Sequence, residues 1–186
     1  MQRTVVLTDR EQISPAQAAL DGRARFEQWV ALYQPRVARL AQRLLGWRAD
    51  VDDVVQDVFL AALSHAESFR GESSPWTWLA AITINRCRRQ QRRTMLWRKV
   101  AGWFGARDAA PAADEQIQEG EVNRRVRACV FALPEKEREV VVLYYLEQFS
   151  AAEIGRMLGV SVNVVDVRLH RARAKLKRDL AEWRWQ

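Results

Sequence analysis

Arg168, His170, Arg171, Arg173 and Lys175 crowd a short C-terminal stretch together with Asn163 and Asp166, and these side chains carry the clearest chemistry in the chain. Guanidinium and ammonium groups at this density bind phosphate oxygens, while asparagine, aspartate and arginine also pair with base edges. Val162, Val165, Leu169, Ala172 and Leu176 recur at steps of three and four, the period of a helix with one apolar face. That period leaves Asn163, Asp166, Arg168, His170, Arg171 and Arg173 pointing outward.

The residues just upstream explain how such a helix would be held. Ser150 followed by Glu153 spells a capping box, in which the hydroxyl takes an orphan helix N–H and the carboxylate returns to the N–H of the cap. Gly155 is small where a second helix must cross closely, Gly159 permits the positive φ of a helix C-cap, and Val160 follows as an apolar plug. Ser161 caps the next helix. Phe149 to Arg173 therefore predicts a helix-turn-helix whose second helix suits a DNA major groove. The alternative is an ordinary basic surface helix in a bundle.

Composition limits the rest. A chain of 186 residues with 48% hydrophobic content can bury one or two small cores, and its net charge of +7 suits a polyanionic partner. Cys87 and Cys129 are isolated thiols outside any CxxC or histidine-rich spacing, the pattern of structural cysteines in a reducing cytoplasm rather than of a zinc site or disulfide framework. The first twenty residues hold no long apolar run, so we expect neither a signal peptide nor a membrane span, and a soluble intracellular protein. His65 and His170 have no nucleophile or metal set around them, and no phosphate-cradling glycine loop occurs. No catalytic residues, metal or cofactor are expected.

Along the chain the pattern is helical throughout. Phe26, Val30, Tyr33, Val37, Leu40 and Leu44 predict an amphipathic helix, interrupted or kinked at Pro35 and ended by Gly46. A second helix is predicted from about Asp50 to Glu67, with acidic residues in its first turn, and a third, increasingly basic, from Trp76 to Arg93 behind a Ser74–Pro75 start signal. Gly102, Gly105 and the AAPAAD run break any long element, although Trp97, Val100, Trp103 and Phe104 would form an apolar stripe. Helical pattern returns near Glu119, and Leu133–Pro134 introduces a further helix before the motif described above. The expected architecture is all-α: a flexible arm (1–22), a first helical domain (23–94), a linker (95–118) and a second helical domain (119–186).

Asp53, Gln56, Asp57 and Leu60 fall at i, i+3, i+4 and i+7, one acidic and partly apolar helix face that suits a basic protein partner better than DNA. Taken with VDDVVQDVFL (51–60), SFRGESSPWTWLAAITINRCRR (68–89) and LPEKEREVVVLYYLEQFSAAEIGRMLGVS (133–161), the order and spacing of blocks resemble the extracytoplasmic-function (ECF) sigma factors of the sigma-70 family. The resemblance implies sigma regions 2 and 4 as the two domains. It implies that Asp53, Gln56, Asp57 and Leu60 dock on the β′ clamp helices of bacterial RNA polymerase, and that region 4 meets the β flap. It also implies that Phe69, Arg70, Gly71, Glu72, Ser73 and Ser74 form the pocket for a flipped −10 base, with Trp76, Asn85, Arg86 and Arg89 on the helix that meets the −10 element. Arg88, Arg89, Arg92 and Arg93 would add phosphate contacts by charge. For Trp76 and Trp78, packing in a core competes with a role at the DNA. The −35 element would be met by Ser161, Asn163, Val164, Asp166, Arg168, His170, Arg171, Arg173 and Lys175.

The chain departs from the family at Arg89, commonly acidic, and at Val164 and Asp166, where a hydroxyl and a lysine are usual. An aspartate accepts from cytosine N4 but repels phosphate, so −35 preference should be unusual or weak. Promoter DNA and core polymerase are the expected partners, and the resemblance adds an anti-sigma factor held against both domains. Competing readings are a stand-alone helix-turn-helix regulator and a degenerate sigma-like protein that titrates an anti-sigma factor.

Overall fold

A computed structural model describes residues 22–46, 51–65, 69, 71, 73–103 and 121–183. Among these every regular element is a helix: α1 Gly22–Leu45, α2 Val51–Ser64, α3 Pro75–Trp103, α4 Glu121–Ala132, α5 Glu135–Val141, α6 Ala151–Leu158 and α7 Val162–Trp183. A wide π-type turn, Val142–Leu146, prolongs α5.

In the first half α1, α2 and α3 pack against one another. Val37, Leu40, Ala41 and Leu44 of α1 meet Val54, Val58 and Ala62 of α2 and Trp76, Leu79 and Ile84 of α3, all of them buried. Pro35 lies inside α1, which runs through it as one helix rather than breaking. Gly46 then ends α1 at φ 85°, a left-handed conformation that glycine adopts without a Cβ clash. α2 begins at Val51 with Asp52 and Asp53 in its first turn, where their charge complements the helix dipole. It ends at Ser64, earlier than the pattern suggested, and Asp50 and Glu67 lie outside the described residues. Ser74 accepts the Thr77 N–H at 3.0 Å and so caps α3, with Pro75 in the first helical position.

α3 is longer than the spacing predicted. It continues to Trp103, because no breaker precedes Gly102 and Met95, Leu96, Arg98, Lys99 and Ala101 are good helix formers. The segment expected as linker from residue 95 thus starts as helix. Phe104 and the arm residues 1–21 lie outside the described residues, as do 104–120.

In the second half, α5 and α7 carry the packing, with α4 and α6 laid beside them. Val140, Val142, Leu143, Ile154, Leu158, Val165, Leu169 and Ala172 are buried. The two halves are not separate bodies. Their buried side chains form one connected core from Val37 to Leu169, and α3 packs directly on α6. Gly46 matters here a second time: a Cβ at this position would lie 3.3 Å from the Phe131 ring of α4, so the glycine lets the halves close on each other.

Candidate functional site

The helix-turn-helix is built as the sequence proposed. Ser150 has extended backbone; its hydroxyl oxygen accepts the Glu153 N–H at 3.3 Å, and the Glu153 carboxylate accepts the Ser150 N–H at 2.8 Å and its hydroxyl at 2.6 Å. These bonds favour the ionised carboxylate and hold Glu153 below its ordinary pKa, the Ser150 hydroxyl contributing most. Gly159 closes α6 at φ 66°, and the Val160 N–H donates to the Gly155 oxygen at 2.9 Å. Gly155 is required by the turn itself rather than by a crossing helix, since a Cβ there would sit 2.8 Å from the Val160 carbonyl oxygen.

Along α7, Val165, Leu169 and Ala172 are buried, and Asn163, Asp166, His170, Arg171 and Arg173 are exposed. Val162 is a correction: it is 44% exposed, because it stands on the correct face but in the first turn, short of the helices that cover the rest. Val164 and Val167 are exposed too, an apolar element on the surface expected to meet DNA. Ser161 accepts the Val164 N–H at a long 3.4 Å. Not every cation on this helix faces outward alone. Lys175 Nζ donates to Glu137 on α5 at 2.8 Å, and Arg173 Nε donates to the Tyr145 hydroxyl at 2.6 Å. Arg168 is half-buried and lines a cleft of about 400 Å³ with Arg88, Arg92, Lys136 and Leu158.

On α2, Asp53, Gln56, Asp57 and Leu60 form one exposed row, with Leu60 57% exposed. Leu60 is the apolar member of this otherwise polar and acidic row.

Asn85, Arg86 and Arg89 come together on α3, lining a hollow of about 380 Å³ with His65, Trp78 and Ile82. Arg92 and Arg93 extend the positive surface along the same helix, where they share a groove with Arg86, Arg89, Asp57 and Leu96. Phe69 is half-buried in an aromatic cluster, 5.1 Å from Trp29 and 5.2 Å from Trp78 between ring centroids. Trp29 escaped the sequence reading; its only signal was a large aromatic one turn after Phe26. Gly71 and Ser73 are exposed, whereas Arg70 and Glu72 lie outside the described residues.

Trp76 is the second correction. It is 1% exposed, stacked between Tyr33 at 6.2 Å and Phe149 at 6.3 Å, with the Arg36 guanidinium 4.1 Å above the ring. In this conformation it is a core residue and touches no nucleic-acid surface. Arg88 also differs from a free phosphate contact: its Nε and Nη2 donate to the two oxygens of Glu139 at 2.6 and 2.8 Å. This bond, above all, raises the Arg88 pKa. Cys87 beside it is buried, its thiol pushed up to about 12 by desolvation and secondarily by the Glu139 charge, so it stays a neutral packing group. No group of histidine, cysteine or acidic residues among the described residues is arranged to hold a metal.

Comparison with known proteins agrees with this layout. Residues 29–96 match sigma-70 region 2, and residues 123–176 match sigma-70 region 4. The ECF RNA polymerase sigma factor SigW of Bacillus subtilis is 30% identical over 84% of this chain and 89% of its own length. The RNA polymerase sigma factor CnrH of Cupriavidus metallidurans is 32% identical over 90% and 93%. Among solved structures, the sigma factor RpoE in complex with the anti-sigma factor NepR from Bartonella quintana has a TM-score of 0.71 at 25% identity, covering 84% of this chain and 96% of that one. CnrH in complex with the cytosolic domain of CnrY gives 0.63 at 28%, covering 90% and 93%. With region 2 on α1–α3, region 4 on α4–α7 and full-length relatives in register, the chain belongs to the ECF sigma factors of the sigma-70 family.

Proposed function

We propose that this sigma factor binds core RNA polymerase through the Asp53, Gln56, Asp57 and Leu60 row, meets the −10 element through the Asn85–Arg86–Arg89 hollow and the loop before α3, and meets the −35 element through α7. The observation that carries this is the pairing of opposite surfaces on one chain. An exposed acidic row with a bare leucine suits a basic protein partner, and a basic hollow with Trp78 and His65 on its lining suits extracted bases held by stacking and cations. A stand-alone regulator has no use for the first.

The protein supplies binding energy and leaves catalysis to the polymerase. No described helix is long and apolar enough to cross a membrane, and its work on polymerase and promoter assigns it to the cytoplasm. Region 4 meets the β flap. The solved relatives bound to NepR and CnrY support regulation by an anti-sigma factor. A groove of about 700 Å³ between α1, α4 and α7, with Val126, Phe131, Tyr145 and Leu146 on its walls and Arg39 and Arg43 at its rim, offers such an inhibitor contact with both halves.

Run-off transcription from genomic fragments, with core polymerase and with or without this chain, tests the reading. Discrete start sites that depend on the protein are expected, and Asp53→Ala/Gln56→Ala should abolish them by weakening core binding. Core binding without any transcript would favour a sigma-like titrator, consistent with Val164 and Asp166 on α7. No core binding would leave the stand-alone regulator.

A further inference from the structure

The outward side of α7 is apolar at its centre. Val167 stands two residues from each of the buried Val165 and Leu169, about 200° round the helix from one and about 160° from the other, and so faces away from the core. It is 41% exposed, and Val164, one turn earlier, is 37% exposed. The other helical neighbours of Val167 are Asn163 one turn before it and His170 and Arg171 one turn after, all exposed. Asp166 is also exposed, about 100° further round the axis.

Folding does not ask for valine at these two positions. Valine is β-branched and among the poorer helix formers, so on a face turned from the core alanine or lysine would serve the helix better. A single apolar residue on a surface needs no explanation. These two are adjacent on the helix and lie in its first two turns, the part of a recognition helix that approaches base edges. They hold the middle of the face, while Asn163, His170 and Arg171 supply donors around them.

We propose that Val164 and Val167 read thymine, their methyl groups closing on the C5-methyl groups of two thymines in the −35 element. The assignment rests on the reading of α7 as the −35 helix and names what its centre selects. In the major groove the thymine methyl is the apolar group, whereas the other three bases present donors and acceptors there. A valine over adenine, guanine or cytosine strips water from a polar edge and returns no hydrogen bond, which penalises those bases. Over thymine it buries methyl against methyl. Residues three apart on a helix have Cβ atoms about 5–6 Å apart, and base pairs are stacked about 3.4 Å apart. The two thymines therefore lie one or two base pairs from each other. Arg171 at the edge of the pair, and the absence of an acid among the four helical neighbours of Val167, favour DNA over a protein surface as the occupant.

The test uses holoenzyme assembled from core polymerase and the full chain. A promoter fragment that gives a start site in run-off transcription is remade with uracil for thymine throughout its −35 block. This deletes the methyl groups and keeps every hydrogen-bonding edge. In competition binding, wild-type holoenzyme should hold the uracil fragment about fourfold more weakly for each of the two methyls, the transfer free energy of one apolar carbon. Val164→Ala/Val167→Ala, which substitutes a better helix former at two exposed positions, should keep its helix content and its affinity for core. It should bind the thymine fragment more weakly than wild type and hold the thymine and uracil fragments equally. Wild-type holoenzyme indifferent to uracil overturns the assignment, and so does a double variant that discriminates as well as wild type. A double variant that instead loses core affinity places the valines against polymerase and overturns it too. If no fragment gives a start site, the −35 reading itself falls and the assignment with it, an outcome distinct from a promoter used equally well with uracil.

Discussion

Arg88 and Glu139 are 51 residues apart in sequence, yet they meet side-on, Nε and Nη2 of one on Oε1 and Oε2 of the other. A bidentate guanidinium–carboxylate pair is the strongest form of this contact, and here the acid is almost fully withdrawn from water while the base keeps one side in it. Such a pair punishes the loss of one member more than it rewards the presence of both.

Glu139→Ala is therefore expected to destabilise the protein by about 2–3 kcal/mol, the range for a lost charge-assisted hydrogen bond that strands a partly solvated partner. Arg88→Met/Glu139→Leu should recover much of that loss, because apolar groups replace both ions. Urea unfolding of the three proteins checks the ordering; a single variant as stable as wild type would refute it.

The capping box makes a smaller and pH-dependent contribution. Ser150→Ala should cost about 1 kcal/mol through loss of the N-cap. Glu153 is held below its ordinary pKa, so its contribution is present above the unfolded value and is lost as pH falls through the folded one. The stability gap between wild type and Glu153→Gln should accordingly be open at neutral pH and closed in acid, below the usual carboxylate range. Thermal unfolding across pH measures it; a gap that widened in acid would show that the carboxylate is not the stabilising partner.

Gly155→Ala tests the turn of the helix-turn-helix. The new Cβ would lie 2.8 Å from the Val160 oxygen, a backbone atom that cannot move alone. The expected loss is about 1–3 kcal/mol, as for other overpacked positions. Because the turn sets the tilt of α7, binding to duplex −35 DNA should weaken more than stability alone accounts for, measured well below the melting temperature.

Asp166 stands exposed in the second turn of α7, on the outward face. Asp166→Lys should strengthen nonspecific DNA binding, steepen its salt dependence by about one counterion per site, and shift the −35 preference. Fluorescence anisotropy over a range of salt, with randomised −35 duplexes, reads all three. No change in any of them would remove Asp166 from the DNA surface.

The parts of this molecule that sequence exposes are those set within one or two helical turns. Ser150 with Glu153, Gly159, and the Val165–Leu169–Ala172 stripe all depend on neighbours a few residues away, and the acidic row on α2 is a matter of period alone. Periodicity fixes which side of a helix is apolar but not where along its axis the covering helix begins, which is why the spacing points Val162 at the core while it stands in solvent. It also cannot see α3 past Arg93, since nothing forbids helix until Gly102. The seam between the halves was least visible. Arg43 and Glu147 are 104 residues apart, and Glu139, at the head of the run EVVV, signals only that its charge needs an answer somewhere. The resemblance named the surfaces for polymerase and promoter, but not that Trp76 and Arg88 are turned inward to hold the halves together.

The stack of Tyr33, Trp76 and Phe149 gives this molecule an optical gauge. Opening would remove Phe149 from the indole, leave Tyr33 beside it, and bring water to an N–H that has no acceptor among the described residues. Indole emission shifts to the red when its ring meets water. The difference between wild type and Trp76→Phe in a stopped-flow trace would then time the separation of the halves when polymerase is added, without any attached label.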